Sequence, residues 1–348
     1  MRHLANPWRG KGLDHPDLAD IPFPSIDAAA PLALLERCPA AARTPLHDKP
    51  DLAETLGLGA LWVKDERVRM GLGSFKALGA AYVIACEAEE GTARGRTYVT
   101  ASAGNHGLSV AAGARVFGAK AKVFIAEQVP QSFARRLEAE GAEVIREGSD
   151  YEASMAAAAQ AAEAPGHVLL SDSSWPGYFE RPHRLMEGYL ALMAEVFDQM
   201  AEAPTHIMLQ AGVGGLAGAA AAIARAHWGD TPRIIVVEPE NAPALLASVE
   251  AGAAVHAGGP PSCMGRLDCK EPSLIALKGL ARDADDFVTI TEAEGQSGAD
   301  LAARSGLEST PSGAAGLSAL AAASDRRDAL GLGPSSRVLT ILSEQADS

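Results

Sequence analysis

A lysine becomes a nucleophile when it is withdrawn from water and its amine is freed of its proton. Lys76 is set where that could happen. It follows Arg69-Met70-Gly71-Leu72-Gly73-Ser74-Phe75 and precedes the Ala-rich run that begins at Ala77, at a strand-to-helix junction. Read alone, the same residue is equally a surface lysine at a helix start, since lysines are mostly exposed and a cation gains nothing there. Two other stretches could hold negative charge. Gly212-Val213-Gly214-Gly215-Leu216 stands before an Ala-rich run, so its amides can cradle a phosphate with few Cβ atoms in the way. Ser102-Ala103-Gly104-Asn105-His106-Gly107 opens another helix, where free backbone donors and a side-chain amide suit a carboxylate or a ring hydroxyl. Each stretch also has a structural reading: glycine for close helix–strand packing, and Ser102 or Asn105 as a helix cap. His106 has no second histidine or carboxylate at ligand spacing, so no metal site is expected.

Such residues need strands that end in loops, and the pattern supplies them. Short apolar runs at 60–65, 97–100, 120–126 and 143–145 alternate with helical stretches, and His167 to Leu170 follows. A long helix is expected over 183–201. Alternation then resumes with strands at 206–210, 233–238, 287–290 and 337–342 and helices at 216–227, 243–251, 292–304 and 312–325. This order predicts an α/β fold of two lobes, each an open, mostly parallel twisted sheet with helices on both faces and ligands beyond the carboxyl ends of the strands. The larger lobe is expected to comprise 1–67 and 191–348, and a smaller lobe that closes on substrate 68–190. Residues 1 to 40, rich in Pro and Asp, are expected to form an irregular arm.

Composition narrows the field. Hydrophobic residues make up 47% of 348, ample for two cores. No stretch offers the ~20 continuous apolar residues of a membrane span, and the first residues lack the apolar core of a signal peptide, which points to the cytoplasm. A net charge of −14 without a basic cluster argues against nucleic acid and anionic membranes as partners. Cys38, Cys86, Cys263 and Cys269 have no metal or redox spacing, and free thiols are expected, with a Cys263–Cys269 pair as the alternative. The Gly212 loop is neither a Walker loop nor a complete dinucleotide fingerprint. Glu238 does end the following strand, however, so a nucleotide-dependent oxidoreductase stays open.

Arg43-Thr44-Pro45-Leu46, Gly73-Ser74-Phe75-Lys76, Ser102 to Gly107 and Gly212 to Gly215 occur in an order that resembles the fold type II pyridoxal-phosphate enzymes, the tryptophan synthase β and threonine dehydratase group. Glu66-Arg67, Gly71 to Ala80, Asp172-Ser173-Ser174-Trp175-Pro176-Gly177-Tyr178 and Met264 to Cys269 resemble more closely the diaminopropionate ammonia-lyase branch. The resemblance implies pyridoxal 5'-phosphate as cofactor, Lys76 as its Schiff-base lysine, Phe75 against the ring, and Asn105 on the ring hydroxyl. It also implies that Gly212, Val213, Gly214, Gly215 and Leu216 hold the phosphate and that Ser343 faces the pyridine nitrogen. The amides of Ser102, Ala103, Gly104, Asn105 and His106 would grip the substrate carboxylate, and Trp175 and Tyr178 would help exclude water. Asp172 maps onto the base that acts on the L-substrate; its structural reading is a loop-capping aspartate. That branch usually carries an aspartate before Gly-Asn-His-Gly that serves the D-isomer. Here the position is Ala103, so D-amino acids are not expected as substrates.

The expected activity is β-elimination on a β-substituted L-amino acid, of the diaminopropionate ammonia-lyase type, with release of ammonia and a 2-oxo acid such as pyruvate. The alternative is a serine, threonine or 3-hydroxy amino acid dehydratase, and a non-catalytic protein that binds the cofactor is a further rival. The resemblance implies a homodimer. Glu308 and Ser309, before Pro311-Ser312-Gly313, can be read either as a cofactor contact or as helix capping.

Overall fold

A computed structural model describes residues 1–347. The strands are β1 (Arg2–Ala5), β2 (Leu46–Asp48), β3 (Ala60–Asp65), β4 (Thr97–Ala101), β5 (Lys120–Ile125), β6 (Glu143–Arg146), β7 (His167–Leu169), β8 (His206–Gln210), β9 (Arg233–Pro239), β10 (Asp286–Ile290) and β11 (Arg337–Leu342). They form a seven-stranded sheet in the order β1-β10-β9-β8-β11-β3-β2 and a four-stranded sheet in the order β6-β5-β4-β7. All pairings are parallel except those of the two edge strands of the larger sheet, β1 and β2.

Alternation along the strands shows why helices cover both faces of the larger sheet. Ile207, Leu209, Ile234, Val236, Leu339 and Ile341 point into a core shared with helices Glu180–Gln199, Gly215–Trp228 and Leu274–Asp283. Their neighbours Met208, Ile235, Val237, Val338 and Leu342 join a second core with helices Glu292–Arg304 and Ala315–Ala322. Because successive side chains of a strand leave on opposite faces, a strand apolar throughout must be buried on both.

The N-terminal arm is more regular than expected. Arg2–Ala5 pairs antiparallel with β10, Arg2 opposite Thr289 and Ala5 opposite Asp286, and Ala29–Glu36 is a helix. Arg-His-Leu-Ala is too short and too mixed to carry a legible period, and only the waiting edge of β10 makes it a strand. Helix Leu274–Asp283 was likewise not expected from the sequence, although its buried face of Leu274, Ile275, Leu277 and Leu280 is a main element of the core.

Candidate active site

The turn that carries Lys76 is shaped by glycine and pinned by charge. Gly71 and Gly73 take φ of 72° and 81°, and Met70, at 51°, is the one non-glycine residue with positive φ among those described. Phe75–Leu78 then forms a short 3-10 helix. Phe75 N–H donates to the Ser343 carbonyl at 3.1 Å and Gln345 N–H to the Gly73 carbonyl at 2.9 Å, so the end of β11 grips the turn from one side. Below it, Arg69 is 1% exposed and donates to Glu66 and Glu195 at 2.7 Å each and to Thr44 Oγ1 at 2.9 Å. Lys64 adds a bond to Glu195 at 2.6 Å. Buried ions are tolerated because each meets its opposite with hydrogen bonds to spare, and the geometry of the turn follows from theirs. Thr44, in the Arg-Thr-Pro-Leu motif, serves this cluster rather than a ligand.

Lys76 Nζ donates to Asp172 Oδ2 at 2.5 Å. Burial disfavours the lysine cation, but the Asp172 carboxylate outweighs it and raises the amine above its ordinary value. Burial likewise works against the Asp172 anion, and Lys76 overcomes it, holding the carboxyl well below the usual range. The loop that presents Asp172 is built from its own side chains. Tyr178 Oη donates to the Leu169 carbonyl and accepts from Ser171 N–H, both at 3.0 Å, while Trp175 and Tyr178 stack with centroids 4.4 Å apart. The Tyr178 hydroxyl is therefore spent on the loop. Ser174 and Ser273 share a hydrogen bond of 2.7 Å, and Ile275 N–H donates to Ser174 Oγ at 3.0 Å, which docks the loop on the start of helix Leu274–Asp283.

Two helix starts face this pair. Among the described residues, none of the amides from Gly212 to Gly215 donates to a protein oxygen, and helix Gly215–Trp228 begins behind them. Gly214 has φ of 95° and a Cβ there would stand 2.9 Å from Ala276 Cβ, so a side chain would be strained, and a Cβ on Gly212 would stand tightly, 3.0 Å from Cys269 Sγ and 3.1 Å from the Arg266 carbonyl. Val213 is tied by its carbonyl to Ser273 N–H at 2.9 Å, and Leu216 is buried. In the other loop Ser102 Oγ accepts from Gly104 N–H at 3.3 Å, while the amides of Ala103, Asn105 and His106 meet no protein acceptor among the described residues. Gly107 lets this helix approach its strand, for a Cβ there would stand 2.4 Å from the Ser102 carbonyl. His106 Nε2 donates to the Leu170 carbonyl at 2.8 Å, and burial lowers the pKa of the ring. Open amides at two helix starts, glycines where a Cβ would intrude, and the buried, unpartnered hydroxyl of Ser74 together fit a phosphorylated aromatic aldehyde joined to Lys76.

The structure removes the nucleotide reading of Glu238. Its carboxylate is fully buried and accepts Leu245 N–H at 2.7 Å and Leu246 N–H at 2.8 Å, capping helix Ala244–Ala251 where a ribose would have to reach it. Asn105 Nδ2 donates to Glu344, a buried side chain that also accepts from Thr310 Oγ1, and Ser309 Oγ donates to the Glu344 carbonyl at 2.5 Å. Ser309 thus braces the strand end, and Glu308 offers only its carbonyl, to Arg67 at 3.1 Å. Ser343 donates its amide to the Gly313 carbonyl at 3.2 Å, and its hydroxyl has no protein partner among the described residues. All four cysteines are free thiols. Glu344, Tyr189, Ser174 and Ser273 are the residues that sequence reasoning missed. Tyr189 reads as one more core position of a long helix, and the serines carry no local signal.

A family model described as pyridoxal-phosphate dependent enzyme matches residues 38–344. The diaminopropionate ammonia-lyase of Salmonella typhimurium is 33% identical over 291 residues, covering 74% of this chain and 71% of that one. The L-threonine ammonia-lyase of Thermotoga maritima is 29% identical over 252 residues, covering 72% of this chain and 60% of that one. A crystal structure of the Escherichia coli diaminopropionate ammonia-lyase, in complex with an aminoacrylate-PLP azomethine reaction intermediate, superposes with a TM-score of 0.89 at 28% identity, covering 99% of this chain and 93% of that one.

Proposed function

The chain belongs to the pyridoxal-phosphate dependent enzymes, and from that premise we propose that it eliminates the β-amine of L-2,3-diaminopropionate and that water hydrolyses the released enamine, so that one pyruvate and two ammonia molecules form. Pyridoxal phosphate, when bound, supplies an electron sink that makes the Cα–H bond of an attached amino acid labile. Gly212 to Leu216 hold its phosphate, Asn105 its ring hydroxyl and Phe75 its ring. Ser343 offers the pyridine nitrogen a neutral hydroxyl, which suits rapid loss of a β-group over transamination. The free amides of Ala103, Asn105 and His106 take the substrate carboxylate.

Asp172 Oδ2 removes the Cα proton. While Lys76 is an ammonium the carboxylate is a weak base; once that amine is engaged elsewhere, burial is left as the dominant influence and makes Asp172 more basic. Lys76 Nζ then hands a proton to the departing β-amine. The contact between Lys76 Nζ and Asp172 Oδ2 at 2.5 Å, facing two loops with open amides, is the observation that carries this reading. We further propose that 68–190 close over the substrate, that the protein works in the cytoplasm and that it is a homodimer, the commonest oligomer; sedimentation of the loaded protein checks the last. No helix of the described residues is long and apolar enough to cross a membrane.

Purified protein given pyridoxal phosphate is expected to show visible absorbance that Lys76→Ala loses, and to form pyruvate faster from L-diaminopropionate than from L-serine. A protein that takes up no cofactor sinks the proposal. Faster turnover of L-serine or L-threonine would move it to the hydroxy amino acid dehydratases, the alternative favoured by the L-threonine ammonia-lyase of Thermotoga maritima.

A further inference from the structure

Tyr189, on helix Glu180–Gln199, is 2% exposed, and its hydroxyl makes no hydrogen bond among the described residues. A buried phenol without a partner is unusual, because its desolvation goes uncompensated. The ring itself is clamped. Phe75 meets it edge-on with centroids 4.9 Å apart. Gly79 lies against it so closely that a Cβ would stand 2.6 Å from Cε1 and 2.9 Å from Cζ, and a Cβ on Gly215 would stand 3.6 Å from Cε2. Lys76 Nζ lies 6.0 Å from the ring centroid. The phenol is thus set between the reactive amine and the first residue of the helix that opens on the phosphate loop. The charged groups that face it are Lys76 and Asp172, and burial raises its pKa, so it keeps its proton at neutral pH.

We propose that the Tyr189 hydroxyl is a positioning group for Lys76: it takes the amine by a hydrogen bond when Asp172 is occupied with the substrate. The inference rests on the reading of Lys76 as the amine that joins the cofactor. It needs no proton on or off the phenol beyond the one it carries. Lys76 N–H donates to Oη when the lysine is an ammonium, and Oη–H donates to Nζ when it is a free amine. A hydroxyl without a protein partner among the described residues is then one held for the amine, and the glycine at 79 is what allows so large a ring to sit beside it.

Tyr189→Phe keeps the ring and deletes only Oη. Since Oη has no partner to lose, a change in packing or stability is not expected, and Tm should stay the same or rise. On the cofactor-loaded protein, uptake followed by absorbance and KM for L-diaminopropionate should stay within about twofold, while kcat falls by about tenfold or more, as for loss of one hydrogen bond to a charged group. The alkaline limb of kcat should move to lower pH, because the Lys76 ammonium loses an acceptor. Unchanged kcat, or a kcat that falls only in step with Tm, overturns the inference while leaving the role of Lys76 intact. A wild-type protein that takes up no cofactor overturns both.

Discussion

At the residue scale, one lysine and one aspartate set each other's charge, and that is what makes them testable. Asp172→Asn keeps the shape of the loop but removes the base. Turnover of L-diaminopropionate should fall by about a hundredfold or more, as for loss of a general base, with cofactor absorbance retained; unchanged turnover would give the proton abstraction to Lys76. Turnover of D-diaminopropionate should be slight in the wild type, because Ala103 has no group to take a proton, and a D rate equal to the L rate would refute that reading. Glu238 yields a prediction about pH. Burial pushes its carboxyl up to about 8 against the opposing pull of the Leu245 and Leu246 amides. The folded protein therefore binds this proton more tightly than the unfolded chain, and the stabilisation is present below the unfolded value and is lost as pH rises to about 8. In Glu238→Gln the group cannot titrate. The stability difference between wild type and variant, from urea unfolding, should shrink by up to about 1.4 kcal/mol per pH unit between pH ~5 and ~8. A constant difference would show that the carboxyl is not perturbed.

At the element scale, helix Glu180–Gln199 does more than cover the sheet. Glu195 pairs with Arg69 and Lys64 beneath the lysine turn, Tyr189 abuts Gly79 and Gly215, and Gly188 lets the helix lie on the 3-10 turn itself. A Cβ at position 188 would stand 2.2 Å from the Leu78 carbonyl, a backbone atom that cannot swing away. Gly188→Ala should therefore push helix and turn apart, at a cost of about 1–3 kcal/mol as for other overpacked contacts, and lower kcat by displacing Lys76. Equal urea midpoints and equal turnover would mean that the helix is not the support argued for.

At the scale of the whole molecule, the site exists only where the two sheets meet. Asn105, at the start of the first helix after β4, is held by Glu344 just beyond β11. Arg266 lies over Phe133 of the other sheet's layer, 5.8 Å from the ring centroid. Burial raises the pKa of Glu344 while Arg266 opposes it, so the bridge is poised on a group whose charge depends on its surroundings. Glu344→Ala should free the Asn105 amide and weaken cofactor binding by about tenfold, as for one lost hydrogen bond. Glu344→Gln, which keeps an acceptor, should bind nearly as the wild type does in an absorbance titration. Equal weakening by both would point to the charge rather than the hydrogen bond, and no weakening by either would remove the bridge from the account.

Lys76, the glycines of 212–215 and the loop from Ser102 to Gly107 are legible in the chain because their chemistry is local: a helix start exposes amides whatever the rest of the protein does, and glycine announces where a Cβ is forbidden. The alternation of strand and helix is legible for the same reason, since apolar periodicity is a property of neighbours in sequence. Arg2–Ala5 and Leu274–Asp283 were not read, nor were the roles of Tyr189, Glu344, Ser174 and Ser273. Each depends on a partner far along the chain, such as β10 for Arg2–Ala5, Asn105 for Glu344, or Ser273 for Ser174. By itself the sequence determined which groups could do chemistry. Only the tertiary structure decided which of them meet, because hydrogen bonds, desolvation and close packing act over a few ångströms of space and take no account of distance along the backbone.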